Sequence, residues 1–450
     1  KLFLIFSYLT LLLVVAAFAS IVAETFKATF TETGAVDTVA SAANASTAMI
    51  SLLFILIAIA FGFFVYRRNA SLAVSTVIGV AAIVACIAIG LNWHPLYLSS
   101  TTWMVIVGLY ILVASVTPVW ILLQPRDYLS SFLLYGMIIL AVVGIIGSHP
   151  TLDMPAFTGF IDTVAPTGTS LGYLFPALFV TIACGAISGF HSLVASGTTA
   201  KQLNSEKDAR PIAYGSMLIE CVLAVISVCA VGYIWKDYAA GTTVTPTVVF
   251  ASGIAGMLSK IPGLSNTYNI AYSLLVLTVS VFCLTSLDTA TRLARYMFQE
   301  FWLEPGETRE QATGLKKTLT NPYLATAITV ILGISLGLTG YANIWALFGA
   351  ANQLLAALGL LAVAAWLGNI GRNNKMLLFP MIFMLIATVT SLALTIKNNI
   401  LAITAGGAGI GWCYIRTILG ILLIVLAIVL MVEGINTLKS QLQKTNKQIS

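Results

Sequence analysis

Charged side chains are scarce in this chain. Lys and Arg number 22 and Asp and Glu number 16, which together make 8% of 450 residues, whereas a soluble globular protein carries about 25%. So few charges cannot cover the surface of a soluble fold of this length. Hydrophobic residues make up 59%, and the mean hydropathy is +0.98. These values predict a polytopic helical membrane protein embedded in a lipid bilayer.

The sequence also lacks the signatures of several other classes of protein. The net charge is +6, but Lys and Arg are scattered over short connectors without a basic patch, which argues against nucleic acid as a partner. The six cysteines form no zinc or disulfide pattern. HExxH, Walker, dinucleotide and nucleophile-elbow motifs are missing as well. We therefore expect no enzyme, metal or cofactor, and an ion gradient is the natural energy source.

Apolar stretches long enough to cross about 30 Å of hydrocarbon recur along the chain. They predict an all-α bundle of about twelve spans over residues 1–434, followed by a basic cytoplasmic tail over 435–450. The connectors, including 236–268, are predicted to be solvated loops or short surface helices. The predicted spans are Leu2–Ala23, Ala48–Tyr66, Ala70–Leu91, Trp103–Leu123, Tyr128–Gly147, Leu171–Ala200, Ile212–Trp235, Ile270–Leu287, Tyr323–Gly340, Ile344–Leu367, Met376–Ile396 and Gly411–Val432.

The basic residues predict how these spans are oriented. If the first span begins in the cytoplasm, 17 Lys and Arg lie inside and 5 lie outside. The positive-inside rule requires this sign. The tail and the connector over residues 299–321 are then cytoplasmic.

A proline interrupts the fourth span. Pro118 removes a backbone donor, so carbonyls one turn earlier lose their helical partners. One interpretation is a discontinuous helix in which these carbonyls, with Ser115 and Thr117, coordinate an ion or substrate, and in which Trp120 contacts substrate. The other is a proline kink relieved by the two hydroxyls.

The sixth span carries the most polar groups. At helical spacing one face presents a stripe of small residues, namely Gly185, Ser188, Ser192, Ser196 and Thr199. Close helix packing would explain such a stripe.

Packing does not call for an imidazole, however, and His191 is the only histidine within a span. Its ordinary pKa suits proton transfer or pairing with a carboxylate, although a neutral histidine bonded to a hydroxyl is the alternative. We expect the substrate carboxylate to meet His191, Ser188 and Ser192 between the fourth and sixth spans. Ser196, Thr198 and Thr199 are candidates for contacts with the coupling ion.

Further polar candidates lie in the seventh and tenth spans. Glu220 is either a proton-binding carboxylate or a group paired to another helix. Asn352 and Gln353 line the cavity or bond neighbouring helices.

Asp288 is predicted near the inner end of the eighth span, with Arg292 and Arg295 on the same helical side. This arrangement suits ion coupling and an inner-gate salt bridge, or ordinary pairing along one helix. In the turn after the fourth span, Arg126 and Asp127 are expected to neutralise each other.

Four long motifs occur in order along essentially the whole chain. They are PVWILLQPRDYL at 118–129, CGAISGFHSLVASGTTAKQL at 184–203, SLDTATRLARY at 286–296 and IWALFGAANQLLAAL at 344–358. In these motifs the sequence resembles the carbon starvation protein A (CstA) family.

The resemblance implies a secondary transporter of the bacterial inner membrane, with peptides or pyruvate as substrate. It also implies the LeuT-like inverted-repeat fold of the amino acid, polyamine and organocation superfamily. Members carry an upstream broken helix and a histidine-aspartate motif that do not occur here, so we expect the native protein to extend further upstream. In that registration, the fourth span is the second broken helix of the core.

Together these features predict a gradient-driven importer of small carboxylate-bearing nutrients, coupled to protons or sodium. A passive channel or pore would instead give flux without accumulation. A membrane-embedded enzyme would have only His191, Ser192 and Glu220 for its chemistry.

Overall fold

The computed structural model describes residues 1–31, 34–68, 70–161, 172–241, 245–406 and 410–449. Over these ranges the fold is helical, and extended backbone pairs only at two isolated bridges. The α-helices are α1 (Leu2–Phe26), α2 (Thr38–Gly62), α3 (Leu72–Asn92), α4 (Ser100–Val116), α5 (Leu123–Ser148), α6 (Phe179–Ile182), α7 (Gly189–Gly197), α8 (Ala209–Tyr233), α9 (Trp235–Ala239), α10 (Pro246–Ser259), α11 (Tyr268–Trp302), α12 (Gly314–Leu319), α13 (Pro322–Gly337), α14 (Tyr341–Asn369), α15 (Lys375–Ala405) and α16 (Ile410–Ile449).

Ten helical segments in the described part of the chain are long and apolar enough to cross a membrane. Three shorter apolar helices accompany them, namely α4, α10 and α13. The predicted polytopic helical bundle is therefore confirmed. Helices α4 and α13 coincide with predicted spans, and the total of twelve spans stays a prediction.

Helix α1 lies at the centre of the bundle. Its side chains are apolar all round, which is the pattern of a helix buried on every side, and it packs against α4, α11, α13 and α14. Gly333 and Gly337 let α13 approach it closely. A Cβ on Gly337 would lie 2.9 Å from the carbonyl oxygen of Ala16. This glycine pair is therefore a helix-packing motif.

The prediction of a solvated connector over 236–268 is wrong for α10. This helix is buried between α5, α8 and α11. A Cβ on Gly253 would lie 2.5 Å from the carbonyl oxygen of Ala230 on α8. The segment is too short to be recognised as a span from its hydropathy, and its small residues serve packing against protein rather than contact with water.

Contacts between connectors agree with the predicted sides of the membrane. Lys1 Nζ lies 3.0 Å from Glu304 Oε1, and both residues are predicted inside. Lys236 Nζ lies 3.1 Å from Asp153 Oδ2, and both are predicted outside. The ends of α1, α8 and α11 are therefore arranged as alternation of the spans requires.

Two helices extend well beyond the predicted spans. Helix α11 has 35 residues, so Asp288 lies in its interior and not near its end as predicted. Helix α16 continues through the predicted tail. The domain boundary at 434/435 falls inside this helix and stays a prediction.

Candidate functional site

The sixth span is a broken helix. Helix α6 ends at Ile182, a tight turn covers Ala183–Gly185, and α7 begins at Gly189 after Ser188 in an extended conformation. The predicted continuous stripe over Gly185–Thr199 is therefore wrong. The hydroxyl of Ser188 caps the new helix instead of continuing a face, which is the usual preference of serine at a helix start.

Asn352 on α14 holds the broken ends together. Its Oδ1 accepts hydrogen bonds from Phe190 N at 2.7 Å and from Ser188 Oγ at 3.2 Å. Its Nδ2 lies 3.2 Å from Cys184 Sγ and 3.0 Å from Ser188 Oγ. Asn352 and Ser188 are both buried. The predicted amide at 352 thus stabilises the break from a neighbouring helix, and both of its polar atoms are engaged.

Gly189 allows this close approach. A Cβ at this position would lie 2.5 Å from the carbonyl oxygen of Asn352 and 2.7 Å from the backbone nitrogen of Ala356. Any larger residue would push α7 away from α14. The break therefore depends on a glycine as well as on the amide.

The opposite face of α7 is open. Phe190 and Leu193 are buried, whereas His191, Ser192 and Ser196 are exposed. The hydroxyl of Ser192 donates to Gly189 O at 2.7 Å, so this side chain lies beside the break.

Glu220 on α8 faces the same break. Its Oε1 lies 3.5 Å from the position of a Cβ on Gly185. The carboxylate is partly exposed, and His191 lies in the first turn of α7, on the other side of the same break. His191 and Glu220, which the sequence indicates separately, thus both lie beside the break.

The predicted coupling-ion hydroxyls lie further along α7. Ser196 Oγ donates to Ser192 O at 3.0 Å. Thr198 ends the helix, and Thr199 begins a short 3-10 turn. These three residues lie at and just beyond the C-terminal end of α7, away from the break.

The fourth span ends earlier than predicted. Helix α4 stops at Val116, Thr117 is extended with φ −67° and ψ 141°, and α5 begins at Leu123. A residue that precedes proline is disfavoured in helical conformation, so Pro118 ends the helix instead of breaking a longer span. Trp120 lies in the following turn, with the Arg67 guanidinium 5.7 Å from its ring centroid.

The carbonyls freed by the proline already have a partner. Arg292 Nη2 on α11 donates to Ala114 O at 3.0 Å and to Thr117 O at 2.8 Å. The predicted use of these carbonyls for an ion is therefore wrong in this conformation. Ser115 Oγ is buried without a hydrogen-bond partner among the described residues. Helix α11 packs against both α4 and α7, and the meeting of Ser115, Thr117 and Trp120 with His191 stays a prediction.

A buried charged cluster lies where α4, α5 and α11 meet. Arg126 Nη1 donates to Asp288 Oδ2 and to Tyr110 Oη, and Tyr110 Oη donates to Asp288 Oδ2 at 2.9 Å. Arg126 and Asp288 are each 1% exposed. Asp127 is a weaker partner, since its Oδ1 lies 3.7 Å from Arg126 Nη2.

Three participants in these clusters are not predicted from the sequence. Tyr110 and Cys184 lie in apolar runs and give no signal of their own. Arg126 is predicted to pair with Asp127, the next residue in the chain, and not with Asp288. Gln353, which was predicted, is fully buried, and its side chain has no hydrogen-bond partner among the described residues.

These features define a polytopic membrane protein with a polar site at a broken helix. A family model described as "Carbon starvation protein CstA" matches residues 1–244 and 235–391. The chain belongs to the CstA family.

Relatives with curated names agree with this family. "Peptide transporter CstA" of Bacillus subtilis (strain 168) is 30% identical over 84% of this chain and 68% of its own length. "Peptide transporter CstA" of Escherichia coli (strain K12) is 36% identical over 67% of this chain and 50% of its own length. "Pyruvate/proton symporter BtsT" of the same strain is 31% identical over 72% of this chain and 56% of its own length.

The chain spans about half to two thirds of the length of these relatives. Their names are those of transporters and not of enzymes. With ten candidate spans, this similarity identifies a multi-pass protein of the bacterial inner membrane.

Proposed function

We propose that this protein is a secondary active transporter that imports peptides or small carboxylates such as pyruvate, driven by a proton or sodium gradient. The observation that carries the proposal is the position of Glu220 and His191 at the two ends of the break in the helix. Two ionisable groups within membrane spans are costly unless they serve a pathway. The names of the relatives support the same substrate classes.

The proposed site is the open face of α7. The substrate carboxylate pairs with His191 and accepts a hydrogen bond from Ser192, and Ser188 and Asn352 hold the break that positions both. Broken helices at the repeat interface are a common form of substrate site in transporters.

Glu220 supplies a physical basis for coupling. When ionised, its carboxylate competes with the substrate carboxylate for the imidazole and repels it. Protonation removes this repulsion, so proton and anionic substrate bind together more tightly than either alone. Proton symport is therefore the form of coupling that this pair favours.

The remaining predicted residues extend the proposed pathway inward. Ser196, Thr198 and Thr199 are candidates for a sodium ion at the inner end of α7, with Asp288 as a second coupling group. Ser115, Thr117 and Trp120 border the inner end of α4. Gln353 follows Asn352, whose amide holds the two ends of the broken helix. A LeuT-like inverted repeat is the architecture proposed for these broken and shortened helices, by analogy of fold.

Uptake in proteoliposomes tests the proposal. Labelled pyruvate and dialanine are supplied outside, with an imposed proton or sodium gradient. We expect accumulation above equilibrium with one gradient and its loss in His191→Ala and Glu220→Gln. His94→Ala and Glu433→Gln, which lie outside the site, serve as matched controls. Flux that only equilibrates would indicate a channel, and undiminished accumulation in both variants would remove the pair from the mechanism.

A further inference from the structure

Helix α11 carries two buried arginines. Arg292 and Arg295 are each 6% exposed. Over the described residues neither forms an ion pair with a carboxylate, because the nearby Asp288 is taken by Arg126. Buried charges in proteins are normally paired.

The two arginines are not equally explained by the fold. Arg292 binds the carbonyls at the end of α4, and this capping accounts for its position. Arg295 reaches neither a carbonyl nor a carboxylate in the described part of the chain. Its Nε lacks a hydrogen-bond partner, as does Nε of Arg292.

A third cation lies near the same aromatic ring as Arg295. The Arg295 guanidinium lies 4.6 Å from the centroid of the Tyr296 ring, and Lys201 Nζ lies 6.0 Å from the same centroid. Lys201 is exposed, and it ends the short turn that follows α7. Lys201 and Arg295 thus both lie beside Tyr296, and Arg292 precedes Arg295 by three residues on α11.

The part of α11 that carries Arg292 and Arg295 packs against α7, the helix of the proposed substrate site. Gly197 at the end of α7 packs directly on Leu293, which lies between the two arginines. His191 is six residues earlier in the same helix, which corresponds to about 9 Å along its axis. The end of α7 that lies away from the break therefore contacts the turn of α11 that carries both arginines.

We infer that Arg295, with Arg292 and Lys201, forms a second binding site for the substrate carboxylate, which the substrate occupies on its way to the cytoplasm. The inference rests on the proposed function. A guanidinium fork matches a carboxylate through two parallel hydrogen bonds, and a small anion would complete the bonds that the buried donors lack. An exposed lysine at the mouth attracts anions to the same place.

Transport measured separately from each side of the membrane tests this site. Inside-out and right-side-out vesicles that contain the full chain are supplied with labelled pyruvate or dialanine. Arg295→Gln should raise the half-saturating concentration at the cytoplasmic face by about tenfold and leave that at the outer face within about twofold. Arg295→Lys should recover part of the loss because it keeps the charge. Arg210→Gln, an exposed arginine on α8, is the control and should change neither value.

Other outcomes would overturn the inference. Equal changes at both faces would indicate a general structural role, and no change would exclude the site. An effect that occurs with phosphatidylglycerol vesicles and is missing in phosphatidylcholine vesicles would identify a lipid headgroup as the anion. If the wild type moves neither probe, the proposed function fails. In that case the affinity for pyruvate of the wild-type and Arg295→Gln proteins in detergent tests the anion site without transport. Equal affinities would reject the site.

Discussion

Asp288 on α11 pairs with Arg126 on α5, and not with Arg292 one turn along its own helix. Tyr110 on α4 donates to the same carboxylate. One buried acid on α11 thus joins that helix to α4 and α5, whose bonded residues lie 178 and 162 positions earlier in the sequence. A movement that separates α4 and α5 from α11 must break this pair.

Removing one partner of the pair should destabilise the protein strongly. Asp288→Asn or Arg126→Gln leaves an uncompensated buried charge, which costs roughly 3–5 kcal/mol. Denaturant unfolding in detergent micelles measures the change. The double variant Arg126→Leu with Asp288→Leu removes both charges and should recover part of the loss. If each single variant is as stable as the wild type, the pair does not hold these helices together.

Substitution of Gly189 should disturb the contact between α7 and α14. A methyl group there meets the backbone of Asn352 and Ala356, and overpacking of this kind costs about 1–3 kcal/mol. Gly215→Ala on α8 is the matched control, since no atom lies within 4 Å of a Cβ at that position. The thermal midpoint Tm of both variants measures the difference. A Gly189→Ala protein as stable as Gly215→Ala would contradict the close approach.

Loss of the amide at 352 should impair the broken helix. In Asn352→Ala the N–H of Phe190 and the hydroxyl of Ser188 lose their acceptor, at a cost of about 1–3 kcal/mol for buried groups. Uptake of labelled pyruvate should fall with the Tm, because His191 is then no longer held in position. Asn92→Ala is the control, since that side chain bonds only within its own helix. Normal uptake by the Asn352→Ala protein would show that the hydrogen bonds of Asn352 to Ser188 and Phe190 are not needed for transport.

The sequence predicts the membrane class, most spans and the two ionisable groups at the break. Hydropathy and charge segregation carry this information along the chain itself. Which helix is broken depends on distant partners. Pro118 is a visible helix breaker but lies where α4 ends, whereas the real break at Ala183–Ser188 is stabilised by Asn352, 164 residues after Ser188.

The pairing of charges is hidden for the same reason. Neighbours along one helix are easily identified, so Asp288 is assigned to Arg292 from sequence. The observed partner comes from α5, because the end of α4 offers free carbonyls that attract Arg292 instead. Only the packing of α4, α5 and α11 determines that Arg126, and not Arg292, is the partner of Asp288.

Glu307, which lies outside the membrane-spanning helices, makes a pH-dependent contribution to the stability of the folded protein. The backbone N–H of Glu304 donates to its Oε2 at 2.8 Å and, with Lys316, holds the pKa of Glu307 below its ordinary value. A pKa lowered by folding stabilises the folded state above the unfolded pKa, and this contribution disappears as pH falls through the folded pKa. Glu307→Gln should therefore lower the Tm slightly near neutral pH and not in acid. Glu310→Gln is the control, and a difference independent of pH would contradict the assignment.

Counterflow and accumulation in Glu220→Gln proteoliposomes test the central claim most directly. Glutamine imitates the protonated acid, so it should still admit pyruvate but no longer respond to the proton gradient. We predict that exchange of internal for external pyruvate is retained and that gradient-driven accumulation is lost. Accumulation equal to that of the wild type would contradict the role of Glu220 at the broken helix.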